Sequence, residues 1–407
     1  TFPVNSNAAS DSEADTQPAL ATDHAGHILA AWKSASDYLD AGTDDDFFFS
    51  HTYYPFIPFN DTQAVNPFAD SDATREDQPD VLADGVNKVM VVWSGDDTGD
   101  GDDDIMSAIS SSNGETWSPF YVNDAYNDSG DDNAPVLATD GAGTWLCAWE
   151  SDDDLDGSAG TDLDIHYSTY TSGGGSWNPT QVFDMADGED AAPDEMPDAA
   201  YGGGRWLVVW STENNQFGLG TDKDLFYATS TDGSLWSYRV TGSYSYSDSA
   251  DDVDPKVATD GSGTWLIVWS TENALKGARD ADLYFVRSGD DNMPWSTPAL
   301  LNPDASGNVI PDENPSLAAD SLGNWVAVWN FHWSEFNMDI KYSISSDNGI
   351  TWSNSKFLTR RYEEDITPGG STVKAESQPE VATNGAGHWA VIWNSLTDFA
   401  DQIGPSD

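Results

Sequence analysis

Positive charge is what this chain lacks most. Its 407 residues hold 15 Lys+Arg against 71 Asp+Glu, a formal net charge of −56. Nucleic-acid binding needs basic patches that neutralise phosphates, so that class of partner is excluded. Anionic membrane surfaces are disfavoured for the same reason, and no stretch approaches the ~18 apolar residues of a membrane span. Cysteine is nearly absent. Cys147 stands alone in Trp145-Leu146-Cys147-Ala148-Trp149 and reads as a small buried strand residue. It can form neither an internal disulfide nor a zinc site. The six histidines (His24, His27, His51, His166, His332 and His388) form no pair at the spacing of a transition-metal site. No Gly-rich phosphate loop, Ser-His-Asp order or Cys-His pairing occurs. Sustained helical periodicity is missing too. The first residues, Thr1-Phe2-Pro3, carry no initiator Met and no signal peptide. They read as a processed mature chain or a fragment, which places the expectation outside the cell, secreted or at its surface.

Aspartate, aromatics and repetition are what the chain has in excess. Of the acids, 57 are Asp and 14 are Glu. Aspartate prefers turns and is the short-armed ligand of calcium loops, whereas an acidic helical surface would favour Glu. So large a charge of one sign drives a compact state apart unless cations bind or screen it. Specific cation sites and adaptation to high salt both answer that need. Hydrophobic residues at 38% and 18 Trp give enough mass for a real core.

The repeat is set by proline. Pro18, Pro79, Pro135, Pro197, Pro255, Pro315 and Pro379 each start a Pro-x-[Leu/Val/Ala]-Ala-like run. Each run reaches an Asp/Gly turn such as Asp140-Gly141-Ala142-Gly143, the signature of a hairpin. An apolar strand follows and ends in Trp32, Trp93, Trp149, Trp210, Trp269, Trp329 or Trp393. Runs such as Trp206-Leu207-Val208-Val209-Trp210 barely alternate, as strands buried on both faces do. A long acidic loop, a third strand, a tight turn and a fourth strand complete the unit. Four antiparallel strands repeated in this way make a propeller blade. The expectation is a single all-β domain over residues 1–407, a seven-bladed β-propeller of four-stranded antiparallel blades. Phe2-Pro3-Val4-Asn5 matches the fourth-strand segment Pro119–Asn123, so residues 1–6 are expected to complete the last blade and close the ring.

Ser345-Ser346-Asp347-Asn348-Gly349-Ile350-Thr351-Trp352 fits the pattern S-x-D-x-G-x-T-W, with partial matches at Ser110–Trp117, Ser172–Trp177 and Ser230–Trp236. The chain thereby resembles the BNR or Asp-box repeats of sialidase-like propellers. The resemblance implies a structural hairpin between third and fourth strands, on the face opposite the ligand site. It identifies a fold better than an activity.

Three acidic sets carry the candidate chemistry. The first lies three residues before each repeat proline: Asp15, Glu76, Asp132, Asp194, Asp252, Asp312 and Glu376. The second follows the second-strand Trp by three residues: Asp96, Asp152, Glu213 and Glu272. The third opens the third strand at Asp46, Asp104, Asp164, Asp224, Asp282 and Asp339, with Asp102, Asp162, Asp222 and Asp280 two residues earlier in four blades. In a meander, the blade link and the loop between strands two and three share one face, so all three sets are expected together. Carboxylates that close raise one another's pKa, and a hard divalent cation such as calcium relieves the repulsion. Aspartates that cap turns are the structural alternative for any single position.

A sialidase-like glycoside hydrolase would need three convergent arginines, and none emerges from Arg75, Arg205, Arg239, Arg279, Arg287, Arg360 and Arg361. The sequence therefore points to a cation-stabilised binding or assembly module with a carbohydrate or protein ligand, a glycoside hydrolase being the alternative. Loop aromatics that could stack on a ligand are Phe47-Phe48-Phe49, Tyr53-Tyr54, Tyr244, Tyr246 and above all Phe331-His332-Trp333, which interrupts the acidic pattern.

Overall fold

A computed structural model describes residues 4, 14–23, 26–35, 45–53, 59, 62–65, 76–96, 101–123, 130–155, 162–183, 192–215, 220–240, 250–271, 281–290, 293–304, 310–334, 337–359 and 374–395. The architecture is a six-bladed propeller of four-stranded antiparallel blades. Blade one holds β1 (Asp15–Thr22), β2 (His27–Ser34), β3 (Asp46–Tyr53) and β4 (Gln63–Ala64). Blade two holds β5 (Glu76–Ala83), β6 (Val89–Gly95), β7 (Asp104–Ser110) and β8 (Ser118–Tyr121). Blade three holds β9 (Asp132–Thr139), β10 (Thr144–Ser151), β11 (Asp164–Thr171) and β12 (Gln181–Val182). Blade four holds β13 (Asp194–Gly202), β14 (Arg205–Thr212), β15 (Asp224–Ser230) and β16 (Ser237–Val240). Blade five holds β17 (Asp252–Thr259), β18 (Trp265–Thr271), β19 (Asp282–Ser288) and β20 (Ala299–Leu300). Blade six holds β21 (Asp312–Ala319), β22 (Trp325–Ser334), β23 (Asn337–Ser345) and β24 (Lys356–Phe357).

The expected count of seven blades is corrected. The seventh repeat gives a two-stranded hairpin, β25 (Lys374–Thr383) and β26 (Trp389–Ser395), among the described residues. It joins the sheet of blade six through parallel pairing of β23 with β25. The proline and tryptophan registers count first hairpins, not whole blades. The ring-closing strand expected over residues 1–6 falls outside the described residues except for Val4, which packs against the Trp32 and Phe48 cluster of blade one.

The core lies between blades. One apolar cluster joins blades one and two, another blades two and three, and the series continues to blade six and the hairpin. This explains second strands that are apolar on both sides: each blade is sandwiched by two others. Trp145, Trp149, Trp210, Trp265, Trp325 and Trp329 are fully buried. Trp210 stacks on Phe183 of the preceding blade with centroids 5.7 Å apart. Burying such a side chain stabilises by about 1.5–3 kcal/mol. Phe47, Phe48 and Phe49, expected as ligand-stacking loop residues, belong to this core and are fully buried in β3. They sit at the register of the third-strand core, where a three-residue aromatic run fits a strand packed on both faces.

The inner strands β1, β5, β9, β13, β17, β21 and β25 follow one another around the axis, and β25 returns to β1. Every first-to-second-strand ladder breaks register at the same place. There the residue before the repeat proline adopts positive φ: Gln17, Gln78, Ala134, Met196, Asp254, Asn314 and Gln378, all between 50° and 58°. Left-handed backbone costs a residue with a Cβ of order 1–2 kcal/mol. The bulge persists because hydrogen bonds clasp it to its neighbours. Gln17 N–H donates to Gln378 Oε1 (3.2 Å), Gln78 N–H to Gln17 Oε1 (2.9 Å), and Ala134 N–H to Gln78 Oε1 (2.7 Å). Among the described residues no helix is long and apolar enough to cross a membrane.

Candidate functional site

The ladders bring the first and third acidic sets onto one rung. Across β1, β2 and β3 the register reads Asp15, Ser34, Asp46, and across β9, β10 and β11 it reads Asp132, Ser151, Asp164. The same rung is Glu76, Gly95, Asp104 in blade two, Asp194, Thr212, Asp224 in blade four, and Asp252, Thr271, Asp282 in blade five. In blade six it is Asp312, Phe331, Asp339, and in the hairpin Glu376 pairs with Ser395. Eleven of these thirteen acids are buried; Asp15 and Asp164 are partly so. They are strand-end groups rather than loop-tip groups.

Blade-to-blade hydrogen bonds then set acids of neighbouring blades side by side. The backbone N–H of Glu76, Asp132, Asp194, Asp252 and Asp312 donates to the carbonyl of Asp45, Asp103, Leu163, Lys223 and Ala281, at 2.7–3.1 Å. Each of those carbonyls immediately precedes the third-strand acid of the blade before. The best-defined seam lies between blades two and three. Asn123 Nδ2 donates to Asp104 Oδ1 (2.9 Å) and to Asp132 Oδ2 (2.5 Å), so two buried carboxylates share one nitrogen. Trp149 Nε1 donates to Asp132 Oδ1 (3.0 Å). Between blades five and six, Asn302 Nδ2 and Trp329 Nε1 serve Asp312 at 3.1 and 2.6 Å. Burial nevertheless pushes the Asp312 carboxyl up to about 6, with the nearby Lys341 opposing the rise. Trp93, Trp210 and Trp269, at the same position in other blades, find no acceptor for Nε1 among the described residues.

The second set is more exposed. Asp152 and Glu213 face solvent, and Asp96 is half-buried. Asp152 Oδ1 accepts the Asp131 N–H at 2.7 Å, tying the segment after β10 to the entry of β9. Asp102, Asp162 and Asp222 are half-buried just before their third strands. Glu272 and Asp280 lie outside the described residues. Two lysines already occupy this end. Lys33 Nζ reaches Asp45 (3.1 Å) and Asp77 (3.3 Å), and Lys223 pairs with Glu195.

Phe331 replaces the small residue of the common rung. Its ring is buried against Phe357, edge to face at 5.5 Å, with Lys341 Nζ 3.4 Å from its centroid. Lys341 is itself buried, where other blades carry Phe48, Met106, His166, Phe226 or Tyr284 opposite the second-strand Trp. His332 is half-buried, its Nε2 3.3 Å from Glu313 Oε2. Trp333 lies in β22, with its side chain outside what is described; Tyr54, Tyr244 and Tyr246 fall outside the described residues.

The Asp-box hairpins sit at the far end of the blades. Ser345 Oγ donates to Asp347 Oδ1 (2.8 Å), and Asp347 accepts from the Thr351 N–H (2.9 Å) and hydroxyl (2.6 Å). Those donors hold the Asp347 carboxyl down at about 2. Asp232 in blade four is held to about 2 by the N–H groups of Leu235 and Ser234. Arg205 opens β14 beside the hairpin turn at this same end, and Arg287 Nε donates to the Asn348 carbonyl of the next Asp-box.

One charged set escaped sequence reasoning. The residue after each repeat proline lines the axis: Ala19, Asp80, Val136, Asp198, Lys256, Ser316 and Glu380. The position was visible as the variable x of the proline run. Its meaning was hidden, because nothing local says that seven x residues face one another.

No family model matches the chain, and no curated protein matches it. Among solved structures, an ulvan lyase representing a new polysaccharide lyase family aligns with a TM-score of 0.54 at 12% identity, over 91% of this chain and 88% of that one. A protein of unknown function from Dyadobacter fermentans aligns with a TM-score of 0.52 at 14% identity, over 97% and 96%. A Hadza microbial sialidase aligns with a TM-score of 0.47 at 15% identity over 94% of this chain, which spans 63% of that protein's length. At these identities the likeness to the first two shows a shared fold alone.

Proposed function

We propose that this chain is a cation-stabilised carbohydrate-binding propeller that works outside the cell and takes its ligand at the acidic end of the blades. The observation that carries the reading is the repeated rung of buried carboxylates, doubled across each seam. Two carboxylates that share one amide nitrogen, as Asp104 and Asp132 share Asn123, bring two negative charges together in a buried seam. Calcium suits that donor set, because it takes six to eight oxygens from carboxylates, carbonyls and outside ligands. A calcium ion held by part of its shell would leave positions for sugar hydroxyls. The fold shared with a polysaccharide lyase supports a saccharide over a protein ligand. The net charge of −56 favours a neutral saccharide, since an acidic one would be repelled.

The test is calorimetric titration of neutral and acidic polysaccharides, each with calcium and with chelator, alongside fluorogenic glycosides. The reading expects calcium-dependent binding of a neutral glycan without turnover. Glycoside turnover would establish a hydrolase instead, and calcium-independent binding would remove the cation from the site.

A further inference from the structure

The axial set has a composition unlike any other part of the molecule. Asp80 on β5, Asp198 on β13 and Glu380 on β25 converge on the axis with one ammonium, Lys256 on β17. Asp198 and Lys256 come from neighbouring inner strands, whereas Asp80 and Glu380 come from strands further round the ring, and their charges act on one another: Asp80 senses Asp198 and Glu380, and Lys256 senses all three. Such mutual influence across the ring requires a common axial space. The remaining inner strands present no charge at this level, with Ala19 on β1, Val136 on β9 and Ser316 on β21. Asp254 on β17 also faces Lys256, and the buried Cys147 thiol on β10 lies within reach of the Asp80 charge.

The carboxylates are also the fasteners of the ring. Asp80 Oδ2 accepts the Leu137 N–H of blade three at 2.8 Å. Asp198 Oδ2 accepts the Val257 N–H of blade five at 2.5 Å. Ser316 Oγ donates to Glu380 Oε2 at 2.8 Å and accepts the Val381 N–H at 3.1 Å. Each link joins one inner strand to the next, so every carboxylate is tied to an interblade contact. With all three ionised, one ammonium faces three negative charges in a confined space.

We propose that the axial set is a proton-operated lock on the ring, in which protons taken from solvent by Asp80 and Glu380 complete the charge balance that Lys256 begins. Burial is the first cause that lifts both carboxyls to about 7, with their acidic neighbours adding to it. A carboxyl raised above its unfolded value contributes stability that is complete below about pH 4 and lost as pH rises through about 7. Deprotonation near neutrality therefore loosens the inner ring while the Asp-box end, whose carboxylates ionise near 2, stays unaffected.

The experiment uses the whole chain in chelator at fixed ionic strength, so that neither calcium nor a glycan enters and the outcome is separable from the proposed binding role. Calorimetry in buffers of different ionisation enthalpy counts protons on unfolding. The lock predicts release of about one proton or more at pH 6–7, and a fall in Tm of about 2–4 °C or more between pH 5.5 and 8. Combined Asp80→Asn and Glu380→Gln should remove most of both, because the amides mimic the protonated groups and only the share belonging to other raised carboxyls such as Asp312 remains. Lys256→Met should steepen the fall. An unchanged pH slope in the double variant overturns the lock. If that variant does not fold, the wild-type proton count decides alone, and no release near pH 6–7 overturns the proposal.

Discussion

The two ends of each blade carry the same functional group in opposite physical states. At the Asp-box end, Asp232 and Asp347 are exposed, surrounded by N–H and O–H donors, and held near 2. At the other end and along the axis, Asp312 is buried, Asp80 and Glu380 are half-buried, and all three are pushed to about 6–7. Burial decides the raised side and donor supply the lowered side. A tight turn exposes successive backbone N–H groups to one carboxylate, whereas at strand ends the ladder has already used most of them. One end is thus self-sufficient, and the other calls for positive charge from protons, lysines or metal ions.

The largest expected effect breaks the self-sufficient end. Gly114, at φ 92° in a partial Asp-box, would place a Cβ 2.2 Å from Phe49 Cε1 of blade one. Gly114→Ala should lower stability by about 2–4 kcal/mol, measured by urea unfolding, because it adds backbone strain to overpacking against a buried ring. At the acidic end, Trp149→Phe removes the donor to Asp132, whereas Trp210→Phe removes an indole N–H with no acceptor. Trp149→Phe should cost about 1.5–3 kcal/mol more than Trp210→Phe, the worth of a hydrogen bond to a charged group. Equal losses would show that these carboxylates do not depend on the indole.

Acid and base should strip the two ends separately. The lowered Asp232 and Asp347 contribute stability above about pH 4 that is lost as pH falls through about 2. The raised Asp80, Asp312 and Glu380 contribute stability below about pH 4 that is lost as pH rises through 6–7. A Tm profile in chelator should therefore peak between about pH 4 and 6, and a plateau reaching pH 8 would contradict the contrast. The smallest effect belongs to blade six. Lys341→Met should cost about 0.5–2 kcal/mol through the lost cation–π contact and should raise the Asp312 carboxyl further, read by carboxyl NMR titration.

The blade unit was legible because its signals are local: Pro18 to Pro379 mark inner strands, and the Trp series marks the second strands. The blade number was not, since the last register mark promises four strands and the described residues there form the hairpin β25–β26. The acidic rung was legible as a register, but its burial was not, because burial of Asp104 and Asp132 arises from the neighbouring blade. Phe47–Phe49 misled for the same reason: a strand packed on both faces hides its aromatics. The positive-φ bulge before each proline left no residue signature, as Gln, Ala, Met, Asp and Asn all occupy it.

The contrast rests on the claim that the acidic end needs positive charge from outside the chain, and thermal melting at pH 7.5 tests it most directly. At constant ionic strength, millimolar calcium should raise Tm above the value in chelator, by about 2.7 kcal/mol of stabilisation at a hundredfold excess over Kd. The rise should saturate, as binding to defined seams requires. No response to calcium, with strong stabilisation by molar monovalent salt, would contradict defined sites and identify the charge as an adaptation to a salty medium.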